Sequence, residues 1–339
     1  MSARHLLHLS PGLIAASFAA ALGLTFSSLT SAQPSMQPLG PNIADIGSDA
    51  YSFRRFEIDS DDGHRHYRIW VGRPEAPPPP GGYPVLYMLD GNAAIGALDE
   101  ELLGTIDQAA PPVLVAIGYQ TELPFDTTAR AYDYTPPDPD GKPGTDPWNQ
   151  TRESGGSDTF RALLHRRIIP EAEQGLPIDT SRRALWGHSY AGLFTLDTLF
   201  QAPGDFSHYY AASPSLGWNG GQGLAREDEL GQRLAGKTAS LMLFHGGDEV
   251  GRHQRNADRP PLEVAEPLRD GSRLRARLSP TVVEDLAKRL DAVEGLEVRY
   301  RAYPALSHGP MLAASLHDAL RDVAGLPMSD PKEALPPRP

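Results

Sequence analysis

Leu185-Trp186-Gly187-His188-Ser189-Tyr190-Ala191-Gly192 is the stretch from which the architecture can be read, with an apolar lead-in from Arg183 and a helical run from Tyr190 to Phe200 after it. Strand, one sharp turn carrying a serine, then helix is the form of a nucleophile elbow. Gly187 and Ala191 are small where the turn drives the chain against its neighbours. Ser189 then stands at the apex with its hydroxyl exposed, and the Tyr190 N–H points into the same space, where it can stabilise a developing oxyanion. The fifth position of the motif is Ala191 rather than glycine, with Gly192 behind it. The competing reading is a capping serine in an ordinary strand-to-helix turn.

Upstream, Tyr51–Ile58 and Arg65–Val71 alternate apolar and polar residues around Asp59-Ser60-Asp61-Asp62-Gly63, which predicts a hairpin. The acidic turn is not a calcium loop, because His64 stands at its sixth position and Trp70 at its twelfth. His64 and His66 share a strand face but have no third ligand near them, so no metal is expected there. After a proline-glycine linker at 77–82, Val85–Leu89 reads as a buried central strand ending in Asp90-Gly91-Asn92. The N–H of Gly91 or Asn92 is then a candidate second oxyanion donor. Val113–Ile117 is a further buried strand. Residues 118–147 form a long proline-rich segment with Tyr119, Phe125, Tyr132 and Tyr134, which reads as a binding loop. Phe160–Ile169 is helical and should close at Pro170.

Downstream, Tyr209–Ala212 leads to Ser213-Pro214-Ser215, Leu241–Phe244 to His245-Gly246-Gly247-Asp248-Glu249, and Val298–Tyr303 to Leu306-Ser307-His308-Gly309-Pro310. Helices are expected over Pro280–Ala292 and Met311–Val323. Alternating strands and helices predict a mostly parallel, doubly wound α/β sheet with helices on both faces. Ser189, Asp248 and His308 fall at strand ends in the order Ser…Asp…His of the α/β-hydrolase fold. A serine hydroxyl needs an imidazole to take its proton, and the imidazole needs a carboxylate to hold its tautomer. Those roles go to Ser189, His308 and Asp248. His188 should point away from the serine hydroxyl, and His245 is the rival base.

Composition sets the outer limits. The 339 residues are 40% hydrophobic and 22% charged, which suits a globular protein, and a net charge of -12 argues against nucleic-acid or anionic-membrane partners. With no cysteine, disulfides, thiolate chemistry and lipid attachment through cysteine are excluded. Arg4, the apolar run Leu13–Phe26 and the small residues Thr30-Ser31-Ala32 predict a signal peptide over residues 1–32, cleaved after Ala32. The run is too short for a membrane span, so a soluble exported protein without a membrane anchor is expected. Loss of that segment, which holds one arginine and no acid, moves the net charge from -12 to -13. The remainder divides into a linker over 33–49, one domain over 50–325 and a proline-rich tail over 326–339.

Three blocks then carry a resemblance: the elbow Gly187–Phe194, Leu306–Met311, and Leu123-Pro124-Phe125 with Arg130–Pro136, to which Tyr87–Asn92 adds a fourth. Over roughly residues 50–325 the chain resembles the esterase D-like α/β-hydrolases, and among them the periplasmic esterases of enterobactin- and salmochelin-type catecholate trilactones. The resemblance implies Ser189 as nucleophile, His308 as base, the Tyr190 N–H as oxyanion donor, a periplasmic location and no cofactor. It implies an ester substrate, an apo or ferric catecholate siderophore, with general carboxylic or feruloyl-type esters as the alternative. A non-catalytic binding protein on the same scaffold is the third reading. The acid stays open between Asp248, Glu249 and a Ser–His pair with no acid, since some esterases of this type work as a pair. Arg130 could hold substrate or pair with Asp126 or Asp133. The seven arginines and four acids between Arg252 and Arg277 could guide an anionic substrate or simply face water.

Overall fold

The computed structural model of the protein describes residues 36–247, 249 and 281–331. Eight strands make one sheet: β1 (Tyr51–Asp59), β2 (His66–Pro74), β3 (Tyr83–Met88), β4 (Val113–Tyr119), β5 (Ile178–His188), β6 (His208–Ala212), β7 (Ala239–Gly246) and β8 (Leu296–Tyr303). Their spatial order is β1-β2-β4-β3-β5-β6-β7-β8. The β1–β2 and β2–β4 pairs are antiparallel, and every later pair is parallel. The expected mostly parallel sheet is the observed one.

Side-chain alternation builds both faces. Val85, Tyr87, Val115, Ile117, Leu185, Tyr209, Leu241 and Leu243 belong to one apolar cluster. Their neighbours Leu86, Met88, Leu114, Ala116, Ala184, Trp186, Tyr210, Met242 and Phe244 belong to the other. A strand apolar at both parities has to be covered twice, which is what parallel crossovers do. Helices α1 (Gly91–Gly96), α2 (Glu100–Asp107) and α8 (Met311–Val323) contribute to the second cluster. Helices α4 (Ser157–Leu163), α5 (Ile169–Glu173), α6 (Tyr190–Gln201) and α7 (Val282–Leu290) contribute to the first. The chain leaving β3 therefore turns to one face, and the chain leaving β5 turns to the other. Between them, at the carboxyl ends of adjacent strands, lies the crevice where open α/β sheets bind ligands.

The acidic hairpin is closed by its own side chains: Asp62 Oδ1 accepts from the Ser60 hydroxyl at 2.6 Å and from the His64 N–H at 3.1 Å. His66 Nδ1 pairs with Asp59 at 2.7 Å. Among the described residues no group of three or more His, Asp or Glu is placed to hold a metal. Pro170 does not end its helix. A π-helical turn over Leu164–Ile168 joins α4 to α5, and Pro170 sits in the first turn of α5. The wider turn shifts the hydrogen-bond pattern, so a residue without an N–H falls where a first-turn donor needs no helical acceptor. Among the described residues, no helix is long and apolar enough to cross a membrane.

Candidate active site

The elbow is built by close approach. Ser189 has φ 62° and ψ −117°, and its N–H donates to the Ala212 carbonyl at 2.9 Å. A Cβ on Gly187 would lie 2.3 Å from the Ala191 carbonyl oxygen, so the glycine is required by space rather than by its own dihedrals. Leu193 and Phe194 are buried beneath the turn. At roughly 2–3 kcal/mol for a side chain of that size, their burial helps to offset the strain of the serine. The Ser189 side chain makes no capping bond to α6, so the capping alternative fails and the hydroxyl is left for other work. It lies 3.3 Å from the Ser215 hydroxyl.

Strain recurs along the crevice. Of the four described non-glycine residues with positive φ, three end neighbouring strands: Asp90 (50°) after β3, Ser189 (62°) after β5 and Ser213 (40°) after β6. Each such conformation costs on the order of 1–3 kcal/mol and persists only where the surroundings enforce it.

His308 follows β8 and carries a partly exposed ring. Its Nδ1 lies 3.4 Å from Glu249 Oε2, a distance at the long end of a hydrogen bond. Catalytic hydrogen bonds are often long before substrate arrives. Glu249 is itself held: the Ser213 hydroxyl donates to its Oε1 at 2.6 Å, and His245 Nε2 is 3.8 Å from its Oε2. Burial works to raise the pKa of this carboxyl. The hydrogen bond and charge of His308, the Ser213 hydroxyl and the charge of His245 outweigh burial, leaving the pKa below the usual carboxylate value. The carboxylate is therefore an anion at neutral pH. Asp248, the first choice from the sequence, lies outside the described residues, as do Arg252–Arg277.

His188 has a place that the sequence did not suggest. Its ring is buried and packs on the His308 ring, with centroids 4.6 Å apart. Burial first, then the charges of His308 and Arg130, hold its pKa well below the ordinary histidine value. A neutral His188 lets His308 accept a proton without setting two positive rings face to face.

The oxyanion candidates come from two helix starts. Tyr190 opens α6 and Gly91 and Asn92 open α1, where the first N–H groups have no intrahelical acceptor. Gly91 is pressed against β4, where a Cβ would lie 2.5 Å from the Gly118 nitrogen. The Asn92 side chain locks that turn, donating to the carbonyls of Tyr119 (3.1 Å) and Thr121 (2.8 Å) and accepting from the Tyr119 N–H (2.8 Å). Asn92 thus offers its backbone, while its amide is spent on position.

Arg130 pairs with neither Asp126 nor Asp133. Its Nε and Nη2 donate to the two oxygens of Asp90 at 2.9 and 2.7 Å. Its guanidinium also stacks over Phe125, Tyr134 and Tyr190 at 5.2, 5.7 and 5.1 Å. Asp126 instead accepts from the Ala129 N–H at the start of helix α3 (Ala129–Asp133), and Asp133 pairs with Arg65 at 3.2 Å. Arg130 therefore ties the residue before Gly91 to the ring of Tyr190, bracing both candidate oxyanion donors.

The segment between β4 and β5 is also built rather than loose. The carboxylate of Asp146, fully buried, accepts from the Tyr190 hydroxyl at 3.1 Å through both oxygens. It further accepts from the Trp148 N–H at 3.0 Å and the Trp218 indole at 3.4 Å. Sequence reading found the aromatic character of this segment but not its hub. A lone aspartate between prolines carries no local sign that it will reach a tyrosine 44 positions away.

Comparison with known proteins gives the chain its relatives. The model of the Esterase family ("Putative esterase") matches residues 62–303. The apo-salmochelin esterase of Escherichia coli O6:H1 is 43% identical over 304 residues, covering 90% of this chain and 89% of that protein. The ferri-bacillibactin esterase BesA of Bacillus subtilis is 33% identical, covering 59% of this chain and 71% of that one. Among solved structures, the enterobactin hydrolase IroE in complex with DFP is 41% identical, with a TM-score of 0.60, covering 84% of this chain and 100% of its own.

Proposed function

The chain belongs to the Esterase family of α/β-hydrolases, and from that premise we propose that it opens the ester bonds of catecholate trilactone siderophores of the salmochelin and enterobactin type. The observation that carries this reading is the 43% identity with the apo-salmochelin esterase across about nine-tenths of both chains. As an esterase, the protein is an enzyme, so the non-catalytic scaffold is set aside.

The proposed mechanism uses the residues at the carboxyl ends of β3, β5, β7 and β8. The Ser189 hydroxyl turns from Ser215 and attacks the ester carbonyl while His308 takes its proton. The Tyr190 N–H and the N–H of Gly91 or Asn92 receive the oxyanion. His308 then gives the proton to the departing alkoxide oxygen of the lactone as the carbon–oxygen bond breaks, leaving an acyl group on Ser189. Water, deprotonated by His308, releases the acid and restores the enzyme. Glu249 holds the imidazole with its free nitrogen towards Ser189, a reading supported by the 3.4 Å approach to Nδ1. No cofactor is needed for any step.

Chromatography of purified protein with apo and ferric enterobactin, beside p-nitrophenyl acetate, tests the substrate. Conversion of a trilactone to linear products is expected, and the two iron states report which form is preferred. Turnover of the simple ester with both trilactones intact would replace this reading with a general carboxylesterase.

Export completes the proposal. Residues 1–32 pair one arginine with an apolar run and small residues, and siderophore hydrolysis outside the cytoplasm needs such a leader. N-terminal sequencing of protein from a periplasmic fraction should read from near Gln33. Mature protein retaining Met1 there would end the idea.

A further inference from the structure

The geometry points to a subsite on the β4–β5 segment, formed by Trp148 and Arg152, that seats an anionic hydroxylated aryl ring of the ester beside the nucleophile. It rests on the proposed function for the identity of the ester, but on this chain's own residues for its chemistry. Trp148 is 58% exposed, whereas Trp70, Trp186 and Trp218 are buried. An indole held out into the solvent presents a flat face on which another ring can stack. This one is not a loose tip. The Trp148 backbone N–H donates to buried Asp146, and the Asp146 N–H donates to the Arg152 carbonyl at 3.0 Å. The Arg152 N–H closes the turn on Asn149 at 2.9 Å, and Thr145 pairs with Glu153 across a short ladder. The same Asp146 holds the Tyr190 hydroxyl, and the Trp148 and Tyr190 rings meet at 5.4 Å. The exposed indole is thus fixed to the residue that follows the nucleophile.

Charge supplies the second half. Arg130 is committed to Asp90, and Arg65 to Asp62 and Asp133. Among the described residues, the Arg152 guanidinium has no carboxylate partner, although its charge reaches the Tyr190 phenol. A guanidinium carried by the same hydrogen-bonded turn as Trp148 suits a flat ring bearing negative charge, the indole stacking on the ring and the guanidinium pairing with its charge. Metal-bound catecholates and hydroxylated benzoates have that chemistry. An aliphatic acyl group does not.

Inhibition of p-nitrophenyl acetate hydrolysis by 2,3-dihydroxybenzoate tests the subsite without requiring trilactone turnover. Competitive inhibition is expected, with Ki about tenfold higher in Trp148→Ala and near the wild-type value in Trp148→Phe, as loss of one stacked ring predicts. Arg152→Gln should weaken 2,3-dihydroxybenzoate more than its neutral amide. The full chain is used throughout, and Trp148→Phe controls for misfolding. An unchanged Ki in Trp148→Ala, or no inhibition of the wild type, would overturn the subsite. If enterobactin is not hydrolysed but the Ki pattern holds, the subsite stands and the siderophore assignment falls.

Discussion

Ser189→Ala lowers kcat by roughly 10³ to 10⁶-fold and abolishes labelling by a fluorophosphonate probe, while the protein remains folded. The size follows from losing the nucleophile outright, with only binding and oxyanion contributions left. The retained fold follows from the turn. Alanine keeps the same Cβ, so the φ of 62° and the bond from its N–H to Ala212 are undisturbed. The hydroxyl makes no capping bond whose loss would weaken α6. A thermal melt within about 1–2 °C of wild type is therefore expected alongside the lost activity, since surface-like changes stay within about 0.5 kcal/mol. Labelling that survives would indicate a different serine. Ser215, with its hydroxyl 3.3 Å away, would be the first to test.

The elbow was legible because everything that makes it is local. An apolar strand, Gly187 where no Cβ fits, and a helix starting one residue after the serine all lie within a dozen positions. The terminal helix Met311–Val323 was equally plain from its spacing. Partners set by tertiary contact were not. Arg130 looked towards Asp126 and Asp133, its neighbours in sequence, yet the fold brings it Asp90 from 40 residues away. Ser213 read as the mere end of a strand, because its partner Glu249 comes from the next strand's loop. The β7 boundary shows the same effect on a smaller scale. The apolar run stops at Phe244, but His245 and Gly246 still pair with Ala302 and Tyr303, so the strand runs two residues further towards Glu249. Pro170 failed as a helix stop because a π turn before it is invisible to apolar spacing.

That register matters most for the acid. Glu249→Gln is expected to lower kcat by about 10³ to 10⁴-fold, with Asp248→Asn costing less than about tenfold and the double variant little worse than Glu249→Gln alone. Glu249 stands 3.4 Å from His308 Nδ1, has a side chain only 12% exposed, and is held on its other oxygen by the Ser213 hydroxyl at 2.6 Å. As an anion it accepts a proton-bearing Nδ1, which leaves Nε2 free to take the serine proton. A glutamine in its place can present its amide N–H to that nitrogen and favour the opposite tautomer, in which Nε2 already carries a proton and cannot act as base. The imidazolium formed during attack would also lose a buried opposite charge, and an effect of that kind is largest where water is excluded. Ser213→Ala provides an independent arm. It removes the clamp but not the charge, so its cost should be intermediate, about tenfold, and should add little to Glu249→Gln because both act through one imidazole. Steady-state kinetics on p-nitrophenyl acetate measures the three single variants and the two double variants. Collapse in Asp248→Asn with Glu249→Gln active would move the acid one residue back. Near-wild-type kcat in both and in the double variant would mean that Ser189 and His308 work as a pair, with Glu249 serving only to hold the loop.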